Sequence, residues 1–353
     1  MPPRRANCRR TRKSDTVISV SDCERAGSVV QGRGRDEMIE TVQVEVGRGR
    51  PAFPVDILTL GQARIVRIPD IDRIEWPATA LFDALTADDL RAAAGLVPAG
   101  TVDAEAATLL LSFNVYLIQT PAFTALIDAG IGNGKQRLDR PAWHRRDGPF
   151  LDLLGRLGVR PESVDIVVNT HLHADHVGWN TVLGDAGWEP TFPRARYVAP
   201  RAEFDHWNRL HRVEPSAPVL HGAFADSVLP LEDAGCLDLV GSSAEIAPGL
   251  RFEPAAGHSP GMCVVRLTLD AASVLFTADV LHHPLQFARR ELVSNFCADP
   301  QAARATRERI LTENAGTGTI LAPYHFASPA FGRLQREAAG ARFVPLPLSS
   351  AQA

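Results

Sequence analysis

The sequence predicts an α/β fold in which two β-sheets pack face to face and helices cover their outer faces. Three observations carry that expectation. Strand-like runs are followed by helix-like stretches twice along the chain. The 353 residues are 45% hydrophobic and 22% charged, an ordinary balance for a globular protein with a sizeable core. An apolar strand, Val164-Asp165-Ile166-Val167-Val168, runs into the polar cluster Thr170-His171-Leu172-His173-Ala174-Asp175-His176-Val177-Gly178.

Residues 1–38 hold Arg4-Arg5, Arg9-Arg10 and Arg12-Lys13 and little that packs. They read as a disordered basic leader, or as a misassigned extension before a start at Met38. A twin-arginine export signal would need an apolar stretch that does not follow. Residues 39–353 read as one domain. Val42, Val44 and Val46, then Val55-Asp56-Ile57-Leu58, predict strands joined by the Gly47-Arg48-Gly49-Arg50-Pro51 turn. Thr86 followed by Asp88 and Asp89 predicts an N-capped helix that runs to Ala94 and stops at Gly95. Residues 109–118 and 123–127 read as paired strands, and 149–157 as a helix ended by Gly158. Beyond the histidine cluster, 196–199 is strand-like and 202–210 helical. Strands are expected at 251–254, 263–269, 273–276 and 319–321. Asp299-Pro300 is an N-cap and first-turn pair that opens a helix over 300–313, and 332–338 reads as the last helix.

Composition excludes several function classes. Cys8, Cys23, Cys236, Cys263 and Cys297 lack paired spacing, which argues against a disulfide framework and fits a reducing, cytoplasmic setting. No run of eighteen apolar residues is present, so no membrane span is expected. Residues 1–50 contain eleven of the 37 Lys and Arg and seven of the 41 Asp and Glu, a net +4, which leaves −8 on the rest. A nucleic-acid enzyme would show a basic body. The expected partner is therefore a small-molecule substrate, and a homodimer is allowed on general prevalence alone.

Three of the chain's eleven histidines and an aspartate lie within six residues, which brings nitrogen ligands and a hard oxygen ligand to one strand end. A transition metal can collect such a set. Alternation on an extended backbone turns His171 and His173 to one side, whereas the sequence neighbours Asp175 and His176 diverge. That divergence points to two metals.

This segment resembles the H-x-H-x-D-H signature of the metallo-β-lactamase-fold hydrolases, and further motifs follow in that family's order. They are Gly257-His258-Ser259-Pro260-Gly261, Thr277-Ala278-Asp279 and Pro323-Tyr324-His325, while Leu126-Ile127-Asp128-Ala129-Gly130 upstream resembles its strand-end D-x-G element. The resemblance spans roughly residues 105–345 and lies nearest the lactonase and organophosphate-hydrolase branch. It implies an αββα sandwich of two mixed sheets. Carried over by position, it implies His171, His173 and His258 at one metal, Asp175, His176 and His325 at the other, and Asp279 between them. The metals would be two Zn²⁺ per chain, with iron or manganese as alternatives. Asp128 would be a carboxylate that orients a ligand, and residues 215–233 a mobile cover over the pocket.

The implied reaction is hydrolysis. Two zinc ions lower the pKa of a shared water from ~15.7 towards ~7, and the hydroxide between them attacks the carbonyl or phosphoryl centre of a small ester, lactone or phosphotriester. Asp175 and His282 are the candidates for the acid that protonates the leaving group. In lactonase-like relatives a Tyr near the place of His282 contacts the substrate carbonyl; here His282 and His283 stand there. The alternatives are a glyoxalase II-like thioesterase and an iron-dependent persulfide dioxygenase. A nucleic-acid processor, a non-catalytic member and an exported β-lactamase fit less well.

Trp179 occupies a position where many relatives have Gly, either as pocket wall or as core, and Tyr324 is a further pocket candidate. Met262 stands where relatives often have His, outside the ligand set. Trp188, Phe192, Phe287 and Phe326 near the motif loops favour a hydrophobic substrate over a highly charged one. His144, His206, His211 and His221 carry no motif and are expected on the surface or in loops.

Overall fold

Alternation along the strands decides the architecture, because successive side chains leave opposite faces of a sheet. The computed structural model describes residues 38–47, 50–83, 85–337 and 340–349. The basic leader, Cys8 and Cys23 lie outside the described residues. One sheet runs Ile39–Val44, Phe53–Leu60, Ala63–Pro77, Thr108–Gln119, Thr124–Ile127, Ile166–Val168, Arg196–Pro200, Leu237–Val240, with Val102–Asp103 beside Thr108–Gln119. The other runs Glu245–Ala247, Leu250–Pro254, Cys263–Thr268, Ser273–Phe276, Ile320–Ala322, Gly332–Glu337, Gly340–Pro345. Both are mixed: the last four strands of the first pair in parallel, as do Ser273–Phe276 and Ile320–Ala322 in the second.

Ile65, Tyr116, Ile118, Ile127 and Val198 of the first sheet share a buried cluster with Phe252, Val265, Phe276 and Ile320 of the second, so the sheets face each other. The intervening Val66, Val115, Leu117, Leu126 and Val167 turn the other way, onto Phe150, Leu153 and Leu154 of the helix Phe150–Arg156. On the far side Val264, Leu275 and Leu321 pack against Ile310 and Leu311 of the helix Pro300–Asn314. The layers are thus α, β, β, α. Each such side chain contributes about 1.5–3 kcal/mol on full burial, which makes these three interfaces the main source of stability.

Two helix-start signals hold where they were read. Thr86 and Asp89 form a reciprocal capping box at the start of Ala87–Ala93. Asp299 accepts from Ala302 N at 2.9 Å and Pro300 follows it. Two expectations need correction. Residues 332–337 form a strand, not a helix, because Gly332–Glu337 pairs on both sides and Gly332 and Leu334 turn inward around the half-exposed Arg333. The strand before the histidines ends at Val168, so His171 and His173 sit on a loop and not on continuing extended chain. The segment 215–233, read as a cover, coils into Val219–Gly222, Phe224–Val228 and Leu229–Asp233, buries Phe224, Val228 and Leu231, and lines the pocket described below with Leu220 and His221.

Candidate metal centre and its pocket

The loop after Val168 is bound on three sides, which fixes its side chains. Asp128, at the end of the strand Thr124–Ile127, accepts from Thr170 N at 2.8 Å and from His176 Nδ1 at 2.8 Å. Its φ of 58° is left-handed, an unfavourable backbone for a residue with a Cβ. Tyr324 stacks on His176 at 3.9 Å between centroids, and its hydroxyl donates to the Asp175 carbonyl. Glu203, buried in the helix Arg201–Val213, ties two loops together. It accepts from Leu172 N, Trp207 Nε1, Ser259 Oγ and Gly261 N. Two helix starts press on the second loop, which explains its glycines. A Cβ on Gly257 would meet Ala303 N at 2.3 Å, and one on Gly261 would meet Glu203 N at 2.2 Å.

Three groups of ligand atoms converge, each within 4.8 Å: His171, His173 and His258; Asp175, His176, Asp279 and His325; and His258, Asp279 and His282. Asp279 lies between the first two, with Oδ2 at 3.2 Å from His258 Nε2 and Oδ1 at 3.0 Å from His176 Nε2. All are buried except the half-buried His173. Burial holds His171 and His258 well below the usual histidine range and lowers His173 and His282. Those imidazoles are neutral and present lone pairs, the form a metal needs. Burial also opposes charge on His176, but Asp279, Asp128 and Asp175 outweigh it and raise its pKa. Burial opposes charge on Asp279 too, yet the surrounding His176, His325, His258 and His282 drive it well below the carboxylate range.

The donor set fits a bound cation. His171 Nε2, His176 Nε2, Asp279 Oδ1 and both ring nitrogens of His282 are buried without a hydrogen-bond partner. Each such atom costs about 1–3 kcal/mol when left unsatisfied, and a metal at the point they face would satisfy several together.

The donors open into a cavity of about 170 Å³. Its polar floor is His173, Asp175, His258, Asp279, His282 and His325, and its walls are Trp76, Leu81, Leu111, Phe113, Trp143, Leu220 and Phe296.

The family model for the metallo-beta-lactamase superfamily matches residues 111–325, more than half of the chain. The chain belongs to the metallo-beta-lactamase superfamily. Among curated superfamily relatives, an N-acyl homoserine lactonase of Bacillus thuringiensis is 25% identical over 162 residues, 46% of this chain and 55% of that protein. The subspecies kurstaki protein, N-acyl homoserine lactonase AiiA, matches to the same extent. The chain thus spans about half the length of the curated relatives it matches. Among solved structures, the hydrolase AbOPH has a TM-score of 0.69 at 20% identity, covering 83% of this chain and 98% of its own. AidC, a dizinc quorum-quenching lactonase, has a TM-score of 0.66 at 17% identity, covering 89% and 100%. Identities this low speak for the superfamily fold.

Several expected residues sit elsewhere. Trp179 is in the core against Phe150, with ring centroids 5.4 Å apart, not on the wall of the donor pocket. Tyr324 lies behind His176 and does not line the pocket. Phe192, Phe287 and Phe326 belong to the packed layers, and Trp188 lies over Lys135. His283 is satisfied within the core: one nitrogen meets Thr101 O at 2.9 Å and the other accepts from Leu285 N. His282 alone of that pair faces the cavity. His221, expected outside the site, lines the pocket and bonds Asp139 at 2.6 Å. Glu203, Arg140 and the aromatic wall carry no local motif. Only Glu203 has a signal of its kind, an acidic residue on the buried face of a helix.

Proposed function

We propose that this chain is a dinuclear zinc-dependent hydrolase of a small, fairly apolar ester, lactone or phosphotriester. The carrying observation is the set of buried His and Asp ligand atoms without a hydrogen-bond partner, of which those of Asp279 and His282 reach the floor of an aromatic-walled pocket. In this reading His171, His173 and His258 hold one ion, Asp175, His176 and His325 the other, and Asp279 spans them. Zinc bound there supplies a water acidified towards ~7 and an electrophile for the substrate oxygen. Asp128 keeps the Nδ1 proton of His176 in place, so that Nε2 is the free donor. Asp175 and His282 both line the pocket, and in this reading one of them passes to the leaving oxygen a proton given up by the attacking water. The free thiols of Cys236, Cys263 and Cys297 support a cytoplasmic setting, and among the described residues no helix is long and apolar enough to cross a membrane.

A second reading is favoured by one observation. His258, Asp279 and His282 form a two-histidine, one-carboxylate group, the donor composition used by non-haem iron oxygenases. An iron-dependent persulfide dioxygenase would use it.

Elemental analysis of protein purified without added metal, followed by assay on an acyl lactone, an aryl ester and an aryl phosphotriester, separates the two. Close to two zinc per chain with turnover is the expected result. Iron without hydrolysis would replace the hydrolase reading with the oxygenase.

A further inference from the structure

The pocket contains a cation that the hydrolytic chemistry does not use. Arg140 lines the cavity together with the His and Asp donors. Its guanidinium carbon lies 5.8 Å from the Trp143 ring centroid and 5.7 Å from that of Phe296. Its Nε is buried without a hydrogen-bond partner, and among the described residues the side chain forms no ion pair. Asp139, next in sequence, feels the Arg140 charge, but its carboxylate is bonded to His221 at 2.6 Å. A guanidinium held between apolar faces loses hydration, so an anion that reaches it binds more strongly than on an open surface.

The route from the donors to Arg140 is aromatic throughout. The His325 ring is 5.1 Å from Phe113, Phe113 is 5.6 Å from Trp143, and Arg140 follows. The loop is also fixed in advance. Arg140 N donates to Arg137 O, Arg140 O accepts from Trp143 N, and Arg146 clamps the loop end to Asp70. Little entropy is then lost when a ligand arrives.

We propose that Arg140 receives an anionic group, a carboxylate, carried by the substrate beyond an apolar spacer whose other end is the scissile ester or lactone. This rests on the hydrolase reading and narrows its substrate class. The pocket takes an acid-bearing ester in preference to a wholly neutral one.

The test compares the 4-nitrophenyl ester of hexanoic acid with the mono-4-nitrophenyl ester of adipic acid on the zinc-loaded enzyme. The adipate ester is expected to have the higher kcat/KM, and Arg140→Gln to lower it at least ~10-fold more than that of the hexanoate ester, while Arg140→Lys keeps part of the preference. No preference in the wild type, or equal losses on both esters, overturns the proposal. Binding of hexanesulfonate, a weak metal ligand, followed by tryptophan fluorescence, decides the matter without turnover. Saturable quenching weakened at least ~10-fold by Arg140→Gln supports the anion site even if no ester is cleaved, in which case only the hydrolase reading falls. Equal binding by both proteins overturns the anion site.

Discussion

Among the described residues, the buried charge around Asp226 and that around Asp279 make an instructive pair, and only the second has the features of a functional site. Around Asp226, Arg137 donates two hydrogen bonds to the carboxylate at 2.6 and 2.9 Å, and Ser227 Oγ adds a third at 2.6 Å. Lys135 Nζ donates to Thr181 Oγ1 at 2.6 Å and lies 3.5 Å over the Trp188 ring. Apart from Arg137 Nε, the group is closed. Around Asp279, by contrast, five buried ring or carboxylate atoms make no hydrogen bond, even where His176 Nε2 and Asp279 Oδ1 come within 3.0 Å of each other. Burial of charge is therefore not the mark of the site. What distinguishes it is unsatisfied ligand atoms converging on one point beside a cavity. The Asp226 knot instead joins the loop of Lys135 and Arg137 to the helical segment above the pocket, a structural task.

The sharpest way to break that comparison is to delete the central carboxylate from each cluster. Asp279→Ala, or His173→Ala, should abolish hydrolysis and lower the bound metal while leaving far-UV circular dichroism nearly unchanged. Full metal content in either variant would remove the ligand assignment. Asp226→Ala should act in the opposite sense. It strands Lys135 and Arg137, whose side chains are fully buried, and removing one partner of a buried pair costs about 3–5 kcal/mol. Urea unfolding should show that loss, with metal per folded chain unchanged. A variant as stable as the wild type would mean that the knot is not closed as described.

The same contrast explains what was legible in the sequence. His171, His173, Asp175 and His176 fall in one short segment, so their chemistry is visible without any fold. His258, Asp279 and His325 could be placed only through a family pattern, because the sandwich brings them together from separate strand ends. Glu203, Arg140 and Trp76 have no pattern, and their roles exist only in three dimensions. The strand Ala63–Pro77 was missed because Pro69, Asp70, Asp72 and Arg73 interrupt its alternation, and in the fold its pairing shifts register at those positions. The strand Gly332–Glu337 was misread because Arg, Gln and Glu suit an exposed helix equally well. Its pairing with a strand on each side, not propensity, decides. Trp179, Phe192 and Phe287 illustrate the remaining ambiguity: a ring near a motif in sequence went to the core once the layers closed.

The smallest expected effect sharpens the comparison through pH. Burial pushes Lys135 down from 10.5 to about 7, with Asp226 opposing the shift and Arg137 adding to it. The unfolded chain keeps that proton up to about 10.5, whereas the folded chain releases it near 7. Between those values the unfolded state binds more protons, so stability rises with pH, by at most ~1.4 kcal/mol per unit. Below about 7 both states hold the proton and the full penalty of the buried charge is present. Cys263 and Cys297, pushed up to about 12 by burial, reverse the trend above 9, where unfolded thiols ionise and folded ones do not. Urea midpoints are therefore best compared from about pH 7 to 8.5, a window bounded by these ionisations. The wild type should gain stability there relative to Lys135→Met, which has no proton to release at that position. Parallel profiles for the two proteins would show that Asp226 holds Lys135 charged throughout, and that the knot is an ion pair at every pH in the range.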